Sequence, residues 1–244
     1  MIILLTGCIN PQGMAFTTLS DQEERKAQYI NAIQYYLSNT SFKIVFSENS
    51  GTDISNLFQD SIKSGRMEYL TFHGNLDKKR GKGYGECEII EYALKNSKLI
   101  YSSKEQRIAK ITGRLIIKNI KGILRWHNLL FSKQTVFCTI NSDLSFTDSR
   151  FIVAPISFYE IFLNSKELID DSIGYYFEHA LCDTLKREKF YSYSPFLYKP
   201  CIEGISGSTG EIYHGETGDL FYKFRYVKFT LSLQRKFIKL YRRK

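Results

Sequence analysis

Short apolar runs alternate with helical stripes through the first half of the chain. Ile2–Leu5 is a run of four apolar residues stopped by Thr6-Gly7, which predicts a short buried strand. Asp21 precedes a segment with Glu23 and Glu24 in its first turn, where carboxylates bind free N–H groups and complement the helix dipole. Tyr29, Ile33, Tyr36 and Leu37 recur at helical spacing and give that helix one apolar face. Phe42–Ser47 and Met67–Phe72 predict two further strands, with a second helix over Asp53–Ile62. This β-α-β-α-β order implies a mainly parallel sheet with right-handed crossovers, an α/β fold flanked by helices.

Further along, Gly81–Gly85 reads as a flexible loop opening a helix over Glu86–Lys95. Ile108–Ile111 and Leu115–Ile117 flank the turn Thr112-Gly113-Arg114, and Val136–Ile140 and Phe151–Pro155 predict later strands. Phe158–Leu163 reads as helical. Ile169–Lys186 predicts a longer helix, begun by Asp170-Asp171, with Ile173, Phe177, Ala180 and Leu181 on its apolar face. Residues 200–219 are glycine-rich without periodicity and read as a loop.

Composition fits one packed domain: 244 residues, 43% hydrophobic and 15% aromatic. Charge changes the picture more. The formal net charge is +9, and nine basic residues lie from Lys223 onward with no acid after Asp219, so the rest of the chain is neutral. The expected organisation is one domain over 1–222 and a basic segment over 223–244. From Leu233 a helical projection groups Phe237, Leu240 and Tyr241, opposite Arg235, Lys236, Lys239, Arg242 and Arg243. That pattern suits an interfacial helix on an anionic membrane surface; the plainer alternative is a terminal helix packed on the body. Nucleic acid is not an expected partner, because the body is neutral and carries no DNA- or RNA-binding motif. Five cysteines without a CxxC pair and four histidines without zinc-site spacing point to reduced thiols rather than disulfides or structural zinc. No stretch approaches the roughly 20 apolar residues of a membrane span.

In an open α/β sheet, ligands bind beyond the carboxyl ends of the strands. Four polar clusters follow predicted strands or lie between them: Thr6-Gly7-Cys8-Ile9-Asn10, Glu48-Asn49-Ser50-Gly51, Thr112-Gly113-Arg114 and Asp148-Ser149-Arg150, of which Thr6, Gly7, Asn10, Glu48, Asn49, Ser50, Thr112, Gly113, Arg114, Asp148 and Arg150 are the candidate site residues. Each alone is ordinary turn chemistry; their shared place makes them donor-site candidates. Lys82 and Gly83 belong to a Gly/Lys segment, Arg80–Gly85, that reads as a phosphate loop, since glycines let backbone N–H groups approach an anion. The segment matches neither the P-loop nor the dinucleotide fingerprint. Glu178 lies beside an apolar helix face and is the candidate general base.

The segments KIVFSENSG (43–51), RGKGYGECEIIEYAL (80–94), IAKITGRLIIKN (108–119), FTDSRFI (146–152) and FEHAL (177–181) together resemble the glycosyltransferases of bacterial capsule and O-antigen gene clusters, over roughly residues 1–210. The resemblance implies a GT-A-like fold and a nucleotide-sugar donor, for which a UDP-sugar is the common choice. It implies a lipid-linked saccharide acceptor and a cytoplasmic enzyme peripheral at the inner face of the inner membrane. It also places Glu178 at the position of the family's acidic residue. One departure stands out: the chain has no DxD, the usual ligand pair for Mn or Mg, so no metal residue is assigned. Arg114, Arg150 and Lys82 are physical substitutes for a cation at the leaving diphosphate. A sugar nucleotidyltransferase and a non-catalytic, membrane-associated scaffold are the competing readings.

Overall fold

The computed structural model describes residues 1–14, 17–102, 107–215 and 220–242. The chain forms the strands β1 (Ile2–Gly7), β2 (Lys43–Glu48), β3 (Met67–Thr71), β4 (Arg107–Thr112), β5 (Ile116–Ile117), β6 (Thr135–Phe137), β7 (Phe151–Pro155), β8 (Ser192–Ser194), β9 (Ile202–Ile205) and β10 (Ile212–His214). Its helices are α1 (Gln22–Asn39), α2 (Gln59–Lys63), α3 (Lys82–Asn96), α4 (Lys98–Ser102), α5 (Ile120–Leu130), α6 (Ile156–Leu163), α7 (Phe177–Arg187) and α8 (Leu220–Arg242). Seven strands make the main sheet in the order β3-β2-β1-β4-β7-β6-β8. Strands β3, β2, β1 and β4 are mutually parallel, β7 is antiparallel to both neighbours, and β8 is parallel to β6. This is the mainly parallel, helix-flanked sheet that the strand and helix pattern predicts.

Alternation along β1 shows why both faces are covered. Ile2 and Leu4 enter one apolar core with side chains of α3, α6, α7 and α8. Ile3 and Leu5 enter the other with α1 and α5. At the expected N-terminus of α1, Asp21 accepts from the Glu24 N–H at 2.7 Å. All five cysteines are free thiols.

Four expectations need correction. The predicted helix over Ile169–Lys186 is two pieces: a 3-10 turn over Asp171–Ile173, then α7. Gly174 between them is left-handed (φ 80), and Asp170 and Tyr175 exchange backbone hydrogen bonds, which a continuing helix cannot accommodate. The 200–219 loop contains β9 and β10, an antiparallel hairpin that joins β5 in a second, three-stranded sheet. Gly83 and Gly85 lie inside α3 rather than in a loop. The basic tail is not a detached interfacial helix. Leu233 and Phe237 are each only 1% exposed, Phe237 meets the Tyr193 ring at 4.4 Å, and Gln234 donates to Ser194 Oγ at 3.1 Å. The side chains of Leu240 and Tyr241, the rest of the expected apolar stripe, lie outside the described residues. Helix α8 starts at Leu220, so the expected boundary at 222/223 falls within it.

Candidate functional site

The parallel strands put the ends of β1, β2 and β4 at one edge, with Thr6 in register with both Ser47 and Thr112. A cleft of about 1020 Å³ opens there. Its walls come from the turn after β1, the first turn of α3, the end of β4, the connection between β6 and β7, the start of α7 and the tip of the β9–β10 hairpin.

Glu178 faces this cleft from the first turn of α7. Ser149 Oγ donates to its Oε1 at 2.5 Å, and Thr147 Oγ1 donates to its backbone carbonyl at 3.0 Å. The segment leading into β7 therefore fixes both the helix start and the carboxylate. Burial holds the Glu178 carboxyl above its ordinary range, opposed by the Ser149 hydrogen bond and by the positive charge of Lys110. Lys110 is wholly buried on β4, ion-paired with Glu86 of α3, and donates to the Ser149 carbonyl at 2.7 Å. Thr6 Oγ1 completes the chain by donating to Glu86 Oε1 at 2.7 Å. A buried charge survives only when paired and hydrogen-bonded, and here Thr6, Glu86, Lys110, Ser149 and Glu178 form one hydrogen-bonded chain that ties β1, α3, β4 and α7 together along the cleft.

Basic side chains occupy the facing walls. Arg25, on α1, donates twice to the Cys8 carbonyl, at 2.6 and 2.8 Å. Arg114 donates to Gln28 Oε1 at 3.0 Å and to the Ile205 carbonyl at 2.9 Å; its Nε is buried with no hydrogen-bond partner among the described residues. Lys82 Nζ meets Ser208 Oγ, and burial lowers its pKa against the pull of Asp171. Arg150 is held by Asp148 through two contacts at 2.6 and 2.8 Å and lies over the Tyr213 ring.

The start of α3, expected to cradle phosphate, already holds an anion. Asp171 Oδ2 accepts from the Lys82 N–H at 2.8 Å and the Gly83 N–H at 3.2 Å. Gly81 permits the approach: a Cβ there would lie 2.4 Å from Asp171 Oδ2. Burial also raises the Asp171 carboxyl, while these two hydrogen bonds oppose the shift.

Of the residues singled out in the sequence, Thr6, Gly7, Asn49, Lys82, Gly83, Thr112, Arg114, Asp148, Arg150 and Glu178 line the cleft. Glu48 is fully buried and accepts from the Ser50 hydroxyl at 2.6 Å and from Thr71. Ser50 in turn accepts from the Asn10 N–H at 3.1 Å, so Glu48, Ser50 and Asn10 brace the turn behind the wall. Gly113 donates to the Thr6 carbonyl at 2.8 Å and closes the β1–β4 edge. Sequence reasoning missed Arg25, Glu86 and Lys110, the hydrogen bond of Ser149 to Glu178 and the capping role of Asp171. Lys110 carried a usable signal, a lysine in the middle of an apolar strand run.

Among the described residues no three of His, Cys, Asp and Glu converge. Asp148 is tied to Arg150 and Asp171 to the start of α3.

No family model and no curated protein matches the chain. Among solved structures it is similar to HddC from Yersinia pseudotuberculosis (14% identity, 83% of this chain and 92% of that one, TM-score 0.40). It is similar to mouse xyloside xylosyltransferase 1 (9% identity, 79% and 82%, TM-score 0.40). It is also similar to a cytidylyltransferase from Leptospira borgpetersenii (10% identity, 100% and 96%, TM-score 0.44). At these values the likeness is one of general outline.

Proposed function

We propose that the protein is a glycosyltransferase of GT-A-like layout that moves a hexose from a nucleotide-sugar donor, a UDP-sugar in the simplest case, to a lipid-linked saccharide in capsule or O-antigen assembly. The observation that carries this reading is Glu178: a half-buried carboxylate with a raised pKa, positioned by Ser149 and sharing a cleft at the strand ends with basic side chains. A raised carboxyl holds a proton more readily than an ordinary one, which suits a general base. In the transfer, Glu178 takes the proton of an acceptor hydroxyl. The freed oxygen attacks the anomeric carbon, the bond from that carbon to the diphosphate breaks, and the diphosphate leaves with the electron pair. The sugar is inverted by this single displacement. Lys82 and Arg114 stabilise the departing negative charge, as charge-assisted hydrogen bonds do in a site shielded from water. No step is routed through a metal. The acceptor's lipid sets the enzyme against an anionic membrane surface on the cytoplasmic side.

The test is calorimetry with UDP-hexoses, UDP and uridine, followed by a transfer assay on lipid-linked saccharides. The reading expects diphosphates to bind, uridine to bind more weakly, and Lys82→Ala to reduce diphosphate binding more than uridine binding, by about 1.5–3 kcal/mol. Equal losses for the two ligands would remove Lys82 from the diphosphate site. Release of pyrophosphate from a nucleoside triphosphate and a sugar phosphate would instead identify a nucleotidyltransferase.

A further inference from the structure

Helix α5 carries apolar side chains on two faces. Ile120, Ile123, Leu124 and His127 are buried against the sheet. Trp126, Leu129 and Leu130, spaced i, i+3, i+4 on another face, are 44%, 66% and 60% exposed. Residues at that spacing are neighbours on the helix surface and form one stripe. A second segment extends it. The parallel pairing of Thr135 with Ser192 brings Lys189-Phe190 alongside Ser132-Lys133, just past the end of α5, and Phe190 is 72% exposed. An exposed apolar stripe with a further exposed ring near its end is the kind of surface that marks a contact site.

The charges around the stripe have one sign. Lys121 and Arg125 run along its edge on α5, and Lys133 and Lys189 flank its far end; all four are exposed, and among the described residues none forms an ion pair. Residues 120–134 contain no acid, and Glu188, the neighbouring acid, is already paired with Arg187 at 2.8 Å. This charge pattern selects the occupant. A two-fold contact with a second copy would bring the same four cations against one another. An anionic lipid surface satisfies both parts: the apolar stripe enters the headgroup boundary, a level that tryptophan favours, and the cations meet the lipid phosphates.

We propose that the α5 tip, Trp126, Leu129, Leu130 and Phe190 with Lys121, Arg125, Lys133 and Lys189, is the surface by which this protein docks on anionic membranes. The contact lies on α5 and the segment leading into β8, and not on the basic tail to which the sequence assigns it. It depends on no catalytic assignment, so the transfer reading and this one fail separately.

Trp126 is the chain's single tryptophan, so its emission reports on this surface alone. The full-length protein is mixed with phosphatidylcholine vesicles, with or without about a third of phosphatidylglycerol, at low and high salt. Co-sedimentation and a blue shift of Trp126 emission are expected with the anionic vesicles, both weakened by salt. Leu129→Ser with Leu130→Ser abolishes the shift. Arg125→Gln with Lys189→Gln lowers vesicle affinity roughly 30-fold, at about 1 kcal/mol per basic residue. These positions are exposed, and unchanged melting temperatures and circular dichroism verify that the variants are folded. The proposal is overturned by sedimentation without a Trp126 shift. It is overturned equally by a shift that depends on protein concentration without lipid, which identifies a second copy, or by one produced by nucleic acid and not by vesicles.

Discussion

Asp171 and Glu178 are seven positions apart, face the same cleft, and are both held above the ordinary carboxylate range by burial. Their partners separate them. Asp171 accepts two backbone N–H groups at the start of α3, so it completes a helix that would otherwise end in unpaired donors. Glu178 accepts one hydroxyl, from Ser149, and sits above a buried lysine that anchors that serine's carbonyl. Burial and a raised pKa therefore do not identify a base by themselves. What identifies one is a carboxylate whose fixed partners position it without replacing the proton it is to receive. The same contrast explains why the Gly/Lys segment cannot act as a simple phosphate cradle: the N–H groups that would hold an anion already hold Asp171.

The largest effect that would break this comparison is on turnover. Glu178→Gln keeps shape and hydrogen-bonding capacity but cannot take up a proton, and is expected to lose about 10²–10⁴-fold in transfer rate with donor binding intact. Asp171→Asn keeps an acceptor for the α3 N–H groups and should stay within about tenfold of the parent by that same measure. Equal losses in the two variants would erase the distinction. A smaller effect sharpens it. Activity should rise with pH as Glu178 ionises, with the limb above the ordinary carboxyl value because the group is raised. Ser149→Ala removes a hydrogen bond that lowers the pKa, so the limb should move to higher pH. A limb that stays in place would remove Ser149 as the positioning group. Smaller again, Asp171→Ala should cost about 0.5–2 kcal/mol of stability, the loss typical of a helix cap, read by denaturant titration. A variant as stable as the parent would show that the α3 start does not need its carboxylate.

Local pattern made β1, α1 and β7 legible because each is a contiguous apolar run or a capped helical stripe. The clustering of Thr6, Thr112 and Arg114 at one edge followed from parallel order alone. Glu178 was legible as a candidate, but the relay beneath it was not. Lys110, Glu86 and Ser149 meet only after three elements fold together; Glu86 has no local mark, and Ser149 stands out only as the middle of a polar turn. The α7 start was misread because Ile173 and Phe177 keep helical spacing across Gly174, whose left-handed backbone breaks the helix. The two outer helices show the same limit in different ways. The stripe of α8 has membrane-like composition, yet Leu233 and Phe237 fill the body's core; α5 was not read from the sequence at all, and it carries a second, exposed apolar stripe beside its buried face. Periodicity reveals that a face is apolar, while only the tertiary structure reveals what covers it.

The smallest effect distinguishes the two carboxylates through stability and carries a definite sign. A carboxyl whose folded pKa is raised binds its proton more tightly in the folded state than in the unfolded one. Its contribution to stability is then fully present below the unfolded value, ordinarily 4.5 for glutamate and 3.8 for aspartate, and is lost as pH rises through the folded value. Glu178→Gln and Asp171→Asn remove a titrating group from that window. Each variant should therefore gain melting temperature relative to the parent between about pH 4 and about pH 7. The gain should be cleaner for Glu178→Gln, since the Asp171 carboxylate also receives the α3 N–H groups and its loss of charge weakens those bonds. Melts of the parent and both variants at the two pH values decide the matter. A Glu178→Gln variant that loses ground as pH rises would mean that the carboxylate is stabilised in its charged form in the folded protein. Glu178 would then be an ion-pair partner of Lys110 rather than a base kept ready for a proton.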